Sequence, residues 1–512
     1  MNDNPLARTP DKTAMILAWS GEEITYRELD ERSNRVAHML RGAGIAAGDV
    51  VALCMETNAH FMEILWAVQR AGLGFVPIST RLTSDEIAYV INDSGASAIF
   101  ASASLGGTAR GLAARCPGLK AGYAVGGSVD GFEAFPAAAA QMPVTHIDDE
   151  SAGRYLLYSS GTTGRPKGIE WKADPRATGR DHLTMERLSE FFGMSDQTIY
   201  LSPAPLYHSA PLTWTLRVLR LGGTIVLMDH FDAQETLALI ERYRVSHAQF
   251  VPTMFVRMLK LPGDDRDRYD LASLRAAIHA AAPCPVEIKE QMIAWWGPIV
   301  HEFYGASEGP GITALSAEEW LRHKGSVGRA IMGIAHVLDD DGQELPIGEQ
   351  GVIWFESGGQ WDYIGDPEKT AETVNEQGWR TVGDIGRLDE QGYLYLTDRK
   401  SNMIISGGVN IYPQEAENVL INHPAILDVA VVGVPDPDFG ETAKAVVQLV
   451  NGQTPSSQLE QEIIAFCRAA ISSIKCPKSV DFVDQLPRHP NGKLYKRKLR
   501  DQYWAGRASA LV

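Results

Sequence analysis

The stretch that decides the fold is residues 154–168, with the sequence RYLLYSSGTTGRPKG. Its residues 155–158 form a short apolar and aromatic run, which predicts a β-strand. Small hydroxyl residues and glycines then follow one another over residues 159–164. Because glycine allows positive φ and close backbone approach, such a segment can turn N–H and hydroxyl donors toward one anion. With the positive charges of Arg165 and Lys167, the stretch predicts a strand that ends in a phosphate-binding loop.

This loop differs from the P-loop of the common NTPases. That motif needs Gly before its Lys and Ser or Thr after it, whereas Pro166 precedes Lys167 and Gly168 follows it here. A flexible surface loop is the usual interpretation of a Ser/Thr/Gly cluster. The strand that leads into the cluster and the Pro-Lys-Gly that closes it favour a functional loop instead.

Length and charge restrict the class of protein. At 512 residues, the chain exceeds what one hydrophobic core usually covers, so at least two domains are expected. The net charge of −17 argues against general binding to nucleic acid or anionic membranes, which need basic surface. The sequence leaves open whether identical subunits assemble.

Targeting and redox signals point to the cytoplasm. No apolar run is long enough for an integral membrane segment, and the N-terminus, MNDNP, lacks the features of a signal peptide. The five cysteines are scattered, without a Cys-x-x-Cys pair, which is typical of a reducing compartment. We therefore expect a cytoplasmic protein.

Helical and strand patterns alternate along the N-terminal part of the chain. A helix over residues 25–39, a strand over 50–55 and a helix over 61–71 suggest βαβ units and a parallel sheet. The Gly-x-Gly at residues 72–74 is followed by Phe-Val-Pro rather than by a third glycine, so a nicotinamide cofactor is not supported. Later patterns predict a helix from about residue 182, helices over 212–219, 234–244, 256–261, 414–422 and 458–471, strands over 224–228, 247–252, 274–282, 352–355, 393–396, 429–434 and 444–450, and peripheral structure over 101–145. Three prolines within residues 202–211 predict a rigid, irregular loop that presents Tyr207 and His208.

A second stretch suited to nucleotide chemistry is residues 299–308, IVHEFYGASE. It predicts a strand that runs into Gly305, flanked by an aromatic ring that can stack on a purine. Its last residue, Glu308, is a carboxylate that suits Mg²⁺ on a nucleotide triphosphate. The same residues match Gly-x-Ser-x-Gly, the nucleophile elbow of α/β-hydrolases, which needs a helix directly after the Ser. Pro310 and Gly311 argue against that helix, so a serine hydrolase is the weaker alternative.

These stretches resemble the motifs of the adenylate-forming enzymes, which include acyl-CoA synthetases, luciferases and carrier-protein adenylation domains. The resemblance covers nearly the whole chain, and its motifs come in family order. They are the loop at 154–168, Pro-Leu-Tyr-His at 205–208, Tyr-Gly-Ala-Ser-Glu at 304–308, Gly-Asp at 383–384, Asp-Arg-Lys-Ser at 398–401, Ser-Gly-Gly at 406–408 and Pro-Asn-Gly-Lys at 490–493.

The resemblance implies an α/β fold with unequal domains. A large N-terminal domain, residues 1–398, would contain parallel-sheet αβα layers and a small β-barrel-like subdomain. Residues 399–401 would form a hinge, and residues 402–512 a small, mobile α+β domain. The hinge residue would be Ser401, where family members usually carry Asp or Lys. The basic segment at 486–500 is either a solvated tail, as most charge runs are, or, as the resemblance implies, the loop of the catalytic lysine.

The resemblance also assigns site residues. Catalytic roles would fall to Lys493 and His208, and Mg²⁺ would be held by Glu308 and Thr162. Residues 403–412 would form the loop that lines the channel for the pantetheine arm of CoA, with Ser406, Gly407 and Gly408 in contact with CoA. The acyl pocket would include Ala210, Trp214 and Gly305. ATP would contact Ser159, Ser160, Gly161, Thr162, Thr163, Gly164, Lys167, Ala281, Ala282, Pro283, Glu302, Phe303, Tyr304, Ser307, Asp384 and Arg399.

The implied activity is an ATP-dependent carboxylic acid–CoA ligase with ATP, Mg²⁺ and coenzyme A as co-substrates and cofactors. It would form an acyl-adenylate and pyrophosphate, then acyl-CoA and AMP. The Ser-Ala-Pro-Leu-Thr-Trp at residues 209–214 resembles ligases for hydrophobic fatty, aromatic or steroid-type acids. The alternative is a stand-alone ligase that loads an acyl carrier protein, but because the chain ends after the small domain, free CoA is the expected acceptor.

Overall fold

The computed structural model describes residues 9–159, 166–171, 183–488 and 494–505. Within these residues the strands form four sheets, two of them built mainly from parallel pairs. The strands are β1 (Thr13–Leu17), β2 (Glu23–Thr25), β3 (Val50–Cys54), β4 (Gly74–Pro77), β5 (Ala96–Ser102), β6 (Ala121–Val125), β7 (Glu133–Phe135), β8 (Arg154–Ser159), β9 (Lys167–Trp171), β10 (Ile199–Ser202), β11 (Thr224–Leu227), β12 (His247–Phe250), β13 (Ala276–His279), β14 (Val300–Tyr304), β15 (Ile312–Leu315), β16 (Arg329–Met332), β17 (Ile334–Leu338), β18 (Gly351–Glu356), β19 (Trp361–Tyr363), β20 (Asp384–Leu388), β21 (Leu394–Arg399), β22 (Ile404–Ser406), β23 (Val409–Ile411), β24 (Ile426–Asp436), β25 (Gly440–Leu449) and β26 (Ser479–Val483).

Helices alternate with the strands through most of the chain, and two short 3₁₀ segments occupy Ala103–Ala109 and Lys400–Asn402. The α-helices are α1 (Tyr26–Gly42), α2 (Phe61–Arg70), α3 (Ser84–Asp93), α4 (Leu112–Arg115), α5 (Leu183–Phe191), α6 (Ser209–Leu221), α7 (Ala233–Tyr243), α8 (Pro252–Leu259), α9 (Gly263–Asp267), α10 (Val286–Trp296), α11 (Ala317–Arg322), α12 (Pro367–Ala371), α13 (Pro413–Leu420), α14 (Ser457–Ala470) and α15 (Lys496–Trp504).

Local signals explain where several helices begin. Thr25 caps α1: its side chain accepts a hydrogen bond from the backbone N–H of Glu28, while the Glu28 carboxylate accepts from the N–H of Thr25. The same reciprocal arrangement begins α3 and α11. It satisfies backbone donors that have no partner within the helix.

Two large sheets share a central layer of helices. The first sheet has the order β16-β15-β14-β13-β12-β10-β11-β1-β2, and the second β19-β9-β8-β4-β3-β5-β6-β7. Helices α1, α2 and α6 pack between them, with Leu40, Leu65 and Leu216 in one buried cluster with strand residues Leu53 and Leu227. The expected parallel-sheet layers are therefore present as a pair, because so long a chain needs more than one core.

The outer faces of the two sheets are also covered. Helices α7, α8 and α10 bury the far side of the first sheet, where Phe255 and Met292 pack with Leu201. Helix α3 covers the second sheet, with Val90 in a cluster that includes Ile99. The N-terminal domain is thus layered α-β-α-β-α.

Two smaller sheets complete the fold. The expected barrel-like subdomain is an antiparallel sheet in the order β17-β18-β20-β21. The C-terminal sheet, β23-β22-β25-β24 with β26 beside β25, packs against α13 and α14 in its own apolar cluster. The predicted fold class, a large α/β domain followed by a small α+β domain, is confirmed.

Several predicted elements need correction. Pro211 was expected to keep the 202–211 segment irregular, but it lies in the first turn of α6, where a missing N–H costs nothing. The strands predicted over 247–252 and 274–282 end at Phe250 and His279, and α8 begins at Pro252 instead of residue 256.

Other differences concern segments with weak or charged patterns. Residues 101–145 contain β6 and β7, which form one edge of the second sheet. Their Ala- and Gly-rich sequence has no clear strand pattern, so these strands were not predicted. The segment expected as a loop over 403–412 is the hairpin β22–β23. Beyond residue 493 the basic segment forms α15, whose Leu499 is buried.

Two further observations bear on the function classes. After Ser307 the chain turns into β15, and the next helix begins at Ala317, so the hydrolase elbow lacks the helix it requires. Among the residues that the structure describes, no helix is both long enough and apolar enough to cross a membrane.

Candidate active site

A cleft with a volume of about 1820 Å³ runs between the N-terminal layers and the C-terminal domain. The turn after β13, the end of β14 and the start of β20 contribute to its wall, as do α15 and the segment that follows β21. Predicted site residues that line it are Lys167, His208, Ala210, Trp214, Ala281, Ala282, Pro283, Glu302, Phe303, Tyr304, Gly305, Ser307, Glu308, Asp384, Arg399 and Ser401.

Strand β14 divides the site into two sides, because successive side chains of a strand point to opposite faces. Glu302 and Tyr304 share one face, and Glu302 pairs there with Lys289 of α10. Phe303 points to the opposite face and lies 6.0 Å, ring to ring, from Trp214. One face of the strand is therefore polar and the other aromatic.

A hydrogen-bonded group of three residues lies on the polar side. The Tyr304 hydroxyl donates to Asp384 Oδ2 at 2.6 Å, and Arg399 Nε donates to Asp384 Oδ1 at 2.9 Å. Burial, and then the charge of Asp384, raises the pKa of Tyr304 well above its usual value, so the phenol stays a donor. The charge of Asp384 also raises the pKa of Arg399. A carboxylate held in this way keeps acceptor capacity for hydroxyl groups of a ligand.

A second carboxylate, Glu308, follows β14. Its Oε1 accepts a hydrogen bond from the Tyr363 hydroxyl at 3.0 Å. Burial, and then the charge of Glu308, raises the pKa of Tyr363, so that hydroxyl also remains a donor. Nearby, Lys167 Nζ donates to Asp366 Oδ2 at 3.4 Å and lies 5.5 Å from the centre of the Tyr363 ring. A cation and an anion thus face the same part of the cleft.

The loop that carries Glu308 is held by close backbone packing. A Cβ on Gly309, whose φ is +64°, would collide with the ring of Trp171, and a Cβ on Gly305 would collide with Ile312. Only glycine fits these positions without displacing a neighbour. The geometry of the loop is therefore fixed on both sides of Ser307.

The turn after β13 has an unusual backbone. Ala281 has φ of +74°, in the left-handed region that costs an L-residue roughly 1–2 kcal/mol. Ala282 and Pro283 follow it along the wall of the cleft. Such strain is concentrated at functional sites, which makes this turn a candidate shelf for a flat ligand.

The aromatic side of the site is apolar. Trp214 is fully buried and lies 6.0 Å from the ring of Phe192 as well as from that of Phe303. Ala210 lies one turn earlier on α6, and Met185 and Leu188 contribute from α5. His208, the N-cap residue of α6, also lines the cleft and has its ring 4.7 Å from that of Tyr207.

The C-terminal domain contributes unevenly to the cleft. Ser401, in the 3₁₀ segment between β21 and this domain, lines the cleft. Gly407 and Gly408, with φ of 57° and 82°, form the tight turn between β22 and β23, as two-residue hairpins require. Together with Ser406, they lie outside the lining of the cleft. The structure therefore does not bring the predicted CoA residues together with the others.

Some predicted residues lie outside the described part of the chain: Ser160, Gly161, Thr162, Thr163, Gly164 and Lys493. Ser159 is described as the last residue of β8, which pairs with Lys167 at the start of β9. Arg488 and Leu494, the described residues that flank the Lys493 segment, pair with each other and line the cleft.

Sequence reasoning missed several contributors. Tyr363, Asp366 and Lys289 belong to none of the motifs, and long-range packing brings them to the motif residues. Trp171, which packs against Gly309, was also missed. Its position as an aromatic residue just past the phosphate-loop candidate could have identified it from the sequence.

Comparison with known proteins finds similarity to one enzyme family along nearly the whole chain. Residues 3–360 match the family model of the AMP-binding enzymes, and residues 415–493 match that of the AMP-binding enzyme C-terminal domain. The fatty acid–[acyl-carrier-protein] ligase ScoC of Streptomyces coeruleorubidus is 32% identical over 505 residues, which are 97% of this chain and 95% of that protein. The feruloyl-CoA synthase of an Amycolatopsis species is 34% identical over 506 residues, 96% of each chain.

A solved structure agrees with these relatives. ATP-bound MatB from Rhodopseudomonas palustris superposes with a TM-score of 0.82 at 30% identity, covering 99% of each chain. The resemblance seen in the motifs is confirmed: this chain belongs to the AMP-binding enzyme family of the adenylate-forming superfamily.

Proposed function

We propose that this chain is an ATP-dependent carboxylic acid–CoA ligase of two steps. In the first, a carboxylate oxygen of the acid attacks the α-phosphorus of ATP, and the bond from that phosphorus to the bridging oxygen breaks. The products are acyl-adenylate and pyrophosphate. In the second, the sulfur of CoA bonds to the acyl carbon, the thiol proton is lost, and AMP leaves with the mixed-anhydride oxygen.

The observation that carries this proposal is the carboxylate of Asp384 between Tyr304 and Arg399. Within the described part of the chain, two of its roughly four acceptor positions are used and two remain. A ribose presents two adjacent hydroxyls, which match the two remaining positions. The strained turn at Ala281 and the ring of Tyr304 offer flat contacts for the attached base.

The phosphates would lie toward the other end of the polar side. Lys167 supplies a positive charge there, and we propose that residues 159–164 add backbone and hydroxyl donors. Preorganised donors stabilise the charge that develops on phosphate oxygens during transfer. Lys493 is proposed to contact the carboxylate and the bridging oxygen in the first step.

Glu308 suits a magnesium ion. Mg²⁺ is usually bound through one or two carboxylates together with substrate phosphates, and Glu308 faces the cleft with one oxygen held by Tyr363. Glu308, with Thr162, would hold the ion, which would neutralise phosphate charge.

The acid would occupy the apolar side. Trp214, Phe303, Met185 and Leu188, which line this side among the described residues, are all uncharged. They favour a hydrophobic fatty, aromatic or steroid-type body over a second carboxylate. The relatives named above act on a fatty acid and form feruloyl-CoA, respectively. His208 would lie between this pocket and the adenylate.

The second step is proposed to need rotation of the C-terminal domain, residues 402–512, about a hinge at 399–401. The present arrangement is held by cross-domain contacts, including Lys260 Nζ to the carbonyl oxygen of Ile426 and Asn422 Nδ2 to Glu287 Oε2 at 3.4 Å. Gly407 and Gly408 would approach the thiol of CoA only after rotation, which would account for their place outside the cleft. One site would then serve both reactions in succession.

We propose a cytoplasmic location. Both ATP and CoA are abundant there, and all five cysteines are free thiols, as expected in a reducing compartment.

A carrier protein is the second candidate acceptor, because one relative of nearly full length loads an acyl-carrier protein. The discriminating experiment is a panel of carboxylic acids assayed for pyrophosphate release, followed by incubation of the best acid with CoA or with a phosphopantetheinylated carrier. We expect acyl-CoA as the product. Acylation of the carrier alone would replace CoA as the acceptor, and no acid-dependent pyrophosphate with any acid would refute the proposed reaction.

A further inference from the structure

A buried lysine lies directly behind the polar side of the cleft. Lys289 of α10 is 0% exposed, and its Nζ donates to Glu302 Oε2 at 2.6 Å. Its ammonium also lies 4.8 Å from the ring centre of Trp320. Burying an ammonium is costly unless it is paired, so one oxygen of Glu302 is needed as the acceptor for Lys289.

The two oxygens of the Glu302 carboxylate have different surroundings. Lys289 Nζ and His279 Nε2 both lie close to Oε2, the latter at 3.3 Å. Burial, and then the charge of Lys289, lowers the pKa of His279 well below its usual value, so the imidazole is neutral. Burial lowers the pKa of Lys289 and raises that of Glu302, while the attraction between their charges opposes both shifts. The 2.6 Å hydrogen bond makes Lys289 the donor to the carboxylate. Among the described residues, no hydrogen bond to Oε1 is formed, and Glu302 lines the cleft.

The position of Glu302 relates it to the base of a bound nucleotide. In the β13–β14 pairing it lies opposite His279, which directly precedes the turn of residues 280–283. Tyr304 projects from the same face of β14, two residues further on. A flat base between that turn and Tyr304 would turn one edge toward Glu302.

We propose that Lys289 is a positioning residue that fixes Glu302 as a hydrogen-bond acceptor toward the base and thereby selects a 6-amino purine over a 6-oxo purine. An ammonium only donates, so it keeps one carboxylate oxygen and leaves the other as a pure acceptor. That oxygen accepts from the amino group of adenine and repels the carbonyl oxygen of guanine or hypoxanthine. This inference rests on the proposed ATP site and adds its selectivity.

The variant Glu302→Gln reverses the polarity of this contact. Lys289 still needs an acceptor, so the amide oxygen turns toward Lys289 and the amide NH₂ takes the position of Oε1. The group that faces the base is then a donor, which favours a 6-oxo purine. In the double variant Lys289→Met with Glu302→Gln, no cation orients the amide, so it can present either group.

The test measures the dissociation constants of ATP and inosine triphosphate by calorimetry, without any acid. The two nucleotides differ at the position that Glu302 would read. One hydrogen bond to a charged group corresponds to about 10- to 150-fold, so the wild-type protein should prefer ATP by about that factor. Glu302→Gln should shift the ratio by a similar factor toward inosine triphosphate, and the double variant should bind both within a few-fold.

Controls separate positioning from stability. Lys324→Met removes the exposed ion pair with Glu290, next to Lys289 in sequence, and should leave the ratio unchanged. The double variant replaces a whole buried pair, which is often neutral for stability, so it supplies the decisive ratio if Glu302→Gln folds poorly. If the double variant still prefers ATP by the wild-type factor, Lys289 does not set the base selectivity and is only one member of a buried ion pair. Because binding is measured without acid, absence of ligase activity would refute the proposed reaction but not this selectivity.

Discussion

Replacing Asp384 by Asn should weaken ATP binding through the ribose. The carboxylate accepts from Tyr304 at 2.6 Å and from Arg399 at 2.9 Å, and its side chain is 9% exposed. Because Arg399 only donates, the amide oxygen of Asn will face Arg399, and the NH₂ will replace the oxygen that faces Tyr304. One acceptor for a sugar hydroxyl is thereby lost.

The size of the effect follows from that count. One hydrogen bond to a charged group contributes about 1.5–3 kcal/mol, which corresponds to about 10- to 150-fold in the dissociation constant. The loss of stability should be smaller than for a fully buried pair, because the Arg399 side chain is 34% exposed and water screens its charge. The folded protein should therefore be available for the measurement.

The assay compares ATP with 2′,3′-dideoxy-ATP by calorimetry. The variant should lose about 10- to 150-fold for ATP and almost nothing for the dideoxy nucleotide. Asp389→Asn is the matched control, since Asp389 accepts from Tyr395 in the same sheet at 3.2 Å and lies outside the cleft lining. An equal loss for both nucleotides would show that Asp384 acts through the fold and not through the ribose.

Four further outcomes are expected. Trp214→Leu should shift the preference toward larger acids without changing ATP affinity; lower thermal stability with unchanged preference would make Trp214 a packing residue. Ser401→Pro, which fixes φ near −65°, should spare adenylate formation and block thioester formation, whereas equal loss would place the hinge elsewhere. Lys493→Ala should slow adenylate formation by about 10²–10³-fold and slow thioester formation from a supplied acyl-adenylate far less; a parallel fall in both rates would contradict its role. Burial lowers the pKa of His301 to about 4 while the unfolded chain binds the proton near pH 6.5, so melting temperature should fall as pH drops from about 6.5 to 4; His301→Asn, which can still accept from the Ala317 N–H, should flatten that slope.

The motif residues were identifiable from the sequence because their chemistry is local. A strand followed by small hydroxyl residues, or by an aromatic ring and a carboxylate, has a pattern that does not depend on distant packing. Tyr304 and Glu308 were found in this way and Asp384 through the family resemblance, and the structure brings all three to one cleft. Their roles stay predictions until the variants above are measured.

The sequence could not predict which residues from other segments contact the motif residues in the folded chain. Tyr363 reaches Glu308 across 55 positions of chain, and Lys289 reaches Glu302 across 13. Neither residue has a distinctive neighbourhood in the sequence. Both depend on the register of strands and helices, which side-chain periodicity does not specify.

The predicted boundaries of helices and strands were wrong where one residue type occurs in two kinds of structure. Three prolines predict an irregular segment at 202–211, yet Pro211 lies in a first helical turn, where its ring is tolerated. The basic segment near the end of the chain was open to interpretation as a solvated tail. From Lys496 onward it forms α15, in which Arg500 pairs with Glu441 at 3.1 Å and Trp504 donates to the carbonyl oxygen of Gly433 at 3.0 Å.

The most direct test of the central claim is the stoichiometry of one reaction mixture containing the chain, Mg-ATP, CoA and the best acid of a hydrophobic panel. Mass spectrometry and nucleotide chromatography would quantify every product. The acid–CoA ligase account predicts acyl-CoA, AMP and pyrophosphate in equal amounts, with none formed when the acid is omitted. Formation of ADP and phosphate, or acyl-CoA formation that does not require ATP, would contradict it.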